Sequence, residues 1–166
     1  MTIAIGKNIV GKPVFGDLIE MPHLLIAGAT KSGKSVTLQN VLLSLLYKNS
    51  PYDLKLIIID PKRVEFTAYK GLPHLYTPII TDPKGAIKAL NWAIQEMERR
   101  YEILAEAGLP NLKEYNKKIY GPAVDKALRK GKEADSNDLP PKLSWIVLVF
   151  DEFNDFILSH SKEITP

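Results

Sequence analysis

Cysteine is absent from this 166-residue sequence. That excludes disulfides and cysteine-ligated zinc, and it fits a reducing compartment. Long hydrophobic runs are also missing. The strongly apolar stretches are strand-sized, far below the ~20 residues that cross a bilayer. No charged start precedes a long apolar stretch at Met1–Val10, so no secretory signal is expected. Neither sign of charge dominates: 22 Lys and Arg against 19 Asp and Glu leave +3. A mild excess of this kind permits nucleic-acid binding without demanding it. The three histidines, His23, His74 and His160, lack metal-ligand spacing and read as packing or surface residues. The remainder is 45% hydrophobic and 25% charged, as expected of a soluble globular protein with a real core, and a cytoplasmic location is expected. The length suits one domain or a large part of one.

Residues Thr2–Ile19 alternate loosely around Gly6, Gly11 and Gly16, which predicts a β-hairpin lead-in over residues 1–20. Leu24-Leu25-Ile26-Ala27 reads as a buried strand. Lys34–Lys48 then carries apolar residues at helical spacing, stopped by Asn49-Ser50-Pro51. Leu54–Asp60 is a second apolar strand, ended by Pro61. Strand, loop, helix and strand in that order form a βαβ unit with parallel strands. A short helix is expected within Arg63–Lys70 and a short strand at Thr77–Thr81. A long helix is expected from about Pro83 to Ala107. On it Ile87, Leu90, Ile94, Met97, Tyr101 and Leu104 make a core-facing stripe, too short for a coiled-coil seam. Asn111 is expected to cap a further helix to Ile119. Residues 120–142 are polar and read as an insertion or loop, with a helical turn around Val124–Arg129. Its Lys126, Arg129, Lys130 and Lys132 are balanced by Glu133, Asp135 and Asp138. Leu143–Phe150 is the last strand. The fold class is α/β, with residues 21–166 as the core.

Gly28-Ala29-Thr30-Lys31-Ser32-Gly33-Lys34-Ser35 meets the pattern G-x-x-x-x-G-K-[ST] in full, with a strand before it and a helix after. Backbone N–H groups in such a loop, through Val36, converge on phosphate oxygens, and the helix adds its positive dipole end. Lys34 is placed to reach the β- and γ-phosphates of ATP, Ser35 to hold Mg²⁺, and Gly33 to let the backbone approach. Lys31 stands where glycine is frequent, and two readings stay open: a side chain facing solvent or a neighbour, or an added positive charge near the phosphates. Ile146–Phe150 is an apolar run followed by acids, as a P-loop ATPase requires. Asp151 would orient Mg²⁺ and Glu152 would act as general base on water. The same two acids also suit a plain helix N-terminus. Asp60-Pro61-Lys62-Arg63 lies beyond a parallel strand, on the edge where ligands gather, and Arg99-Arg100 reads by default as a solvated helix face.

Several stretches together resemble the motor domain of the FtsK/SpoIIIE family of DNA translocases. They are Gly11-Lys12-Pro13-Val14, Met21–Gly28 running into Ser32–Val36, Ile59–Glu65, Gly71–Leu75, Glu96–Tyr101, Tyr115-Asn116 and Asp151-Glu152-Phe153. The resemblance implies a RecA-like P-loop core that assembles as a ring, usually a hexamer, on double-stranded DNA. ATP hydrolysis would drive the ring along the duplex in chromosome partition at cell division, or in plasmid transport, often from a membrane-anchored parent chain. This stretch itself is expected to make no membrane contact. The resemblance assigns Lys34 and Ser35 as the Walker A pair and Asp151 and Glu152 as the Walker B pair. It further implies that the core continues beyond Pro166 with groups acting on a neighbour's nucleotide, so these 166 residues are expected to bind ATP yet hydrolyse it weakly. The alternatives are a related secretion-type ring ATPase moving protein, and a nucleotide-binding module without turnover.

Overall fold

The structure, a computed structural model, describes residues 1–29, 31–123, 142–154, 156 and 158. The backbone divides into two compact units, residues 1–79 with 146–151 and residues 80–145 with 152–166. The proposed helical turn at Val124–Arg129, the basic residues of that loop and His160 lie outside the described residues.

The first unit begins with the expected hairpin. Strand β1 (Thr2–Lys7) pairs antiparallel with β2 (Pro13–Asp17), with a register shift between Ala4 and Gly6. The Asn8 side chain closes its turn by accepting from the N–H groups of Val10 and Lys12. The hairpin docks on helix α1 (Lys34–Lys48), where the Ser44 hydroxyl accepts from the Ala4 N–H at 3.0 Å and Ile3 is fully buried. Val41, Leu42 and Leu45 form the buried face of α1, the side its apolar spacing predicts. Asn49 ends α1 with its backbone and side-chain N–H groups both on the Leu45 carbonyl.

Strand β3 (Leu54–Ile59) is buried almost throughout and is the centre of this unit. Its neighbour is β4 (Trp145–Phe150), with which it makes a parallel pair. Leu56 also exchanges bonds with the His74–Tyr76 backbone, an isolated parallel bridge in place of the strand expected at Thr77–Thr81. The expected short helix within Arg63–Lys70 is one 3₁₀ turn, Thr67–Tyr69. His74 packs as expected, with Nε2 against the Asn49 carbonyl at 2.9 Å.

A second sequence expectation fails in this unit. Leu24–Ala27 is neither paired nor buried; Leu25 is 82% exposed. An apolar segment counts as a buried strand only when a ladder holds it and both faces are covered. Among the described residues no strand bonds to it.

In the second unit, helix α2 (Pro83–Glu106) starts at Asp82, whose carboxylate accepts from the Gly85 N–H at 2.8 Å, with Pro83 in the first turn. Its inner face keeps only part of the predicted stripe, Ile87, Leu90 and Leu104 being half-buried. Ala86 and Ala89 are buried and Ala93, Glu96, Arg100 and Ile103 are half-buried, whereas Ile94, Met97 and Tyr101 are exposed, Tyr101 at 64%. The cause is polar. Arg100 donates to Glu96 at 2.7 Å and to the Ser144 carbonyl at 2.7 Å, so the helix turns this pair inward. Arg100 is therefore a structural tie rather than part of a solvated face.

Asn111 caps α3 (Leu112–Tyr115) as expected, but the helix passes into a π-helical turn at Asn116–Tyr120. The wider turn accompanies a second tie. Asn116 donates to the Leu143 carbonyl at 2.7 Å and accepts from the Leu143 N–H at 3.1 Å, as a neighbouring strand would. Leu143 and Ser144, which lead into β4, are thus gripped by Asn116 and Arg100.

Hydrogen bonds from Arg99, and from Arg100 against the cost of burial, lower the Glu96 pKa to about 2. A lowered folded-state value means the stabilisation is present above the unfolded value of ~4.5 and is lost as pH falls through the folded one. With Arg99 half-exposed, the contribution at neutral pH is about 1–2 kcal/mol. Glu96→Gln should therefore lower stability at pH 7 and narrow its difference from the wild-type protein between pH 4.5 and 2, as followed by thermal unfolding. A difference independent of pH would contradict the pairing.

Candidate nucleotide site

The phosphate-loop motif runs from the extended chain before Gly28 into the first turn of α1. Ser32 donates its N–H to the Ala29 carbonyl at 3.0 Å, which curls the loop. A Cβ at Gly28 would overlap the Ser32 hydroxyl oxygen, so a larger residue there would require the Ser32 side chain to turn away. Gly33 sits at φ 92°, ψ 12°, a left-handed conformation in which other residues are strained. It occupies the N-cap of α1 without a side chain to cap the helix, and no acid lies in the first turn. The helix start therefore has no side-chain cap of its own, and its positive dipole end suits an anionic ligand. Gly33 still serves the helix through its carbonyl, which accepts from the Thr37 N–H and hydroxyl. Thr30 lies outside the described residues.

Lys31 also has a left-handed backbone, φ 66°. This accounts for the frequency of glycine at its position. A lysine there costs roughly 1 kcal/mol of backbone strain.

The acids lie at the ends of the paired strands. Asp60 follows β3 and Asp151 follows β4, and the Asp151 N–H donates to the Ile59 carbonyl at 3.0 Å, which fixes the two positions at one edge of the pair. Both are buried: Asp60 is 1% and Asp151 5% exposed. Asp60 is spent on its own loop. Its carboxylate accepts from the Arg63 N–H at 2.8 Å and the Phe66 N–H at 3.4 Å, so it shapes Pro61–Phe66 rather than offering itself to a ligand. Helical backbone begins at Phe153, and the Phe156 N–H reaches the Glu152 carbonyl at 3.3 Å. Glu152 therefore stands at a helix start, and at φ 52° it too is left-handed.

Arg63 (φ 60°), Lys31 and Glu152 are the positive-φ non-glycine residues among those described. One falls in each motif loop. Strain of about 1–3 kcal/mol per residue persists where function fixes geometry. Lys31 aside, nothing in the residue types signalled it.

Sequence reasoning also missed Glu65. Its carboxylate accepts from the Ser35 hydroxyl at 2.8 Å, which brings the loop after β3 onto the first turn of α1. With Asp60 engaged by its own loop, the oxygen donors left in the motif loops of this unit are the Ser35 hydroxyl and the Glu65 and Asp151 carboxylates. Hard oxygen donors few in number suit Mg²⁺, which keeps several waters and takes the rest of its shell from phosphates. The open helix start and these donors fit a magnesium–nucleotide complex.

The sequence matches the FtsK/SpoIIIE family over residues 1–165. It is 46% identical over 173 residues to the DNA translocase FtsK of Haemophilus influenzae, covering 99% of this chain and 32% of that protein. It is 45% identical over 170 residues to that of Pseudomonas syringae pv. tomato, covering 99% of this chain and 21% of the relative. The chain thus spans between about a fifth and a third of these relatives. Among solved structures, the conjugation coupling protein TcpA of pCW3, in a monomer form with ATPγS, superposes with a TM-score of 0.68 at 28% identity over 99% of this chain and 38% of that one. The cytoplasmic domain of the type VII secretion ATPase EccC of Thermomonospora curvata gives 0.69 at 27%, over 97% and 18%. The fold is that of RecA-like P-loop ATPase domains.

The left-handed turn makes a testable statement. Lys31→Gly should leave stability unchanged or raise it by up to ~1 kcal/mol, whereas Lys31→Val should lower it by about 1–2 kcal/mol, because a β-branched residue is least tolerated at positive φ. Urea unfolding measures both. Equal stability of the two variants would contradict the assigned backbone.

Proposed function

The chain belongs to the FtsK/SpoIIIE family, and from that premise we propose that it is the ATP-binding and hydrolysing part of a ring-forming motor that moves double-stranded DNA. The observation that carries the reading is 45–46% identity to proteins named DNA translocase across 99% of the chain. The nucleotide loop supports it, since Gly33 exposes the start of α1 and Asp151 stands at the end of the neighbouring strand.

In this proposal the N–H groups of Gly28–Val36 receive the phosphates, and the Lys34 ammonium offsets charge on the β- and γ-phosphate oxygens. Ser35 and Asp151 hold Mg²⁺, whose contribution when bound is to neutralise charge developing on those oxygens. Glu152 accepts a proton from the attacking water. Assembly on DNA as a ring, commonly of six, follows from the family reading. No helix among the described residues is long and apolar enough to cross a membrane. A protein-moving motor is the second reading, favoured by the likeness to the secretion ATPase.

Both readings can be tested in the full-length protein. Glu152→Gln should retain ATP affinity within about threefold while turnover falls ~10²–10⁴-fold. Unchanged turnover would remove Glu152 from the base role. Double-stranded DNA should raise the ATPase rate; a rate indifferent to DNA would favour the protein-moving motor.

A further inference from the structure

Glu65 lies outside both nucleotide motifs, yet its carboxylate meets the residue assigned to the metal. We propose that Glu65 is a positioning residue of the nucleotide site: it holds the Ser35 hydroxyl by its proton and so presents the hydroxyl oxygen to a divalent cation. The inference rests on reading Gly28–Ser35 as the nucleotide loop.

A hydroxyl has one proton and two lone pairs. Because Ser35 Oγ donates to Glu65 Oε1 at 2.8 Å, its rotation is fixed and the lone pairs are left over. A charged acceptor also polarises the O–H bond and makes its oxygen a better donor to a cation.

The carboxylate is held there by contacts that do not use it. The Glu65 carbonyl accepts from Gln39 Nε2 at 2.8 Å, one helical turn after Ser35. Gln39 Oε1 in turn accepts from the hydroxyl of the buried Tyr69. Phe66 is fully buried, and the Asp60 carboxylate bonds the Arg63 and Phe66 N–H groups. The loop is therefore pinned on both sides of residue 65, and shortening that half-buried side chain leaves its anchors in place.

Charge gives the idea a distinctive sign. The first turn of α1 contains no acid of its own, so Glu65 supplies a negative charge where phosphate is expected. That charge opposes a bare nucleotide and favours one that arrives with a cation.

Calorimetric titration of the full-length protein with ATPγS, in Mg²⁺ and in EDTA, tests this. With Mg²⁺, Glu65→Ala should weaken binding about 5- to 30-fold. In EDTA its affinity should be unchanged or higher. Glu65→Gln keeps an acceptor oxygen and should recover much of the Mg²⁺-dependent affinity, and adding Glu65→Ala to Ser35→Ala should cost nothing further. An equal loss in both buffers, no loss in either, or additive effects in the double variant would overturn the inference. Failure of the unaltered protein to bind ATPγS would overturn the nucleotide-loop reading, and this inference with it.

Discussion

Parallel pairing of β3 with β4 is the constraint on which the rest of the site depends. Parallel strands end on the same side, so the loops that follow them emerge together. The bond from the Asp151 N–H to the Ile59 carbonyl makes the alignment specific to one residue pair. Asp60 then turns its loop inward and carries Glu65 to the first turn of α1. Three motif segments distant in sequence are joined through two strand ends and one side-chain hydrogen bond. None of this requires a preformed metal cage. Among the described residues no cluster of three or more His, Cys, Asp or Glu stands ready to hold a metal.

The family-like stretches divide into two kinds. Gly28–Ser35 and Asp151 are the residues proposed for the nucleotide side. The Met97-Glu98-Arg99-Arg100 stretch with Glu96, and Tyr115-Asn116, act at a distance from it in sequence. Arg100 and Asn116 hold the carbonyls of Ser144 and Leu143, just before β4 begins. Main-chain polar groups entering a buried strand need partners, and here side chains supply them.

Much of the fold was legible. The limits of α1 and α2 follow from apolar period and stop signals, and β3 and the Asn111 cap from local chemistry. The failures arise where structure depends on partners distant in sequence. Apolar spacing alone chose Ile94, Met97 and Tyr101 as the inner face of α2, but the demand of Arg100 for the Ser144 carbonyl turned the helix. Leu24–Ala27 has strand composition, and composition cannot supply a ladder partner. Glu65 lay within a recognised stretch, yet only the folded loop shows that its carboxylate meets Ser35. Of the strained residues only Lys31 left a trace, as a lysine where glycine is frequent.

The central claim is that the left-handed turn at Gly33 opens the start of α1 to phosphate. Amide NMR of the ¹⁵N-labelled chain, titrated with ATPγS and Mg²⁺, tests it most directly. The largest shifts should fall on the N–H groups of Gly33, Lys34, Ser35 and Val36, as phosphate oxygens become their acceptors. Shifts that leave these amides unmoved while others respond would contradict it.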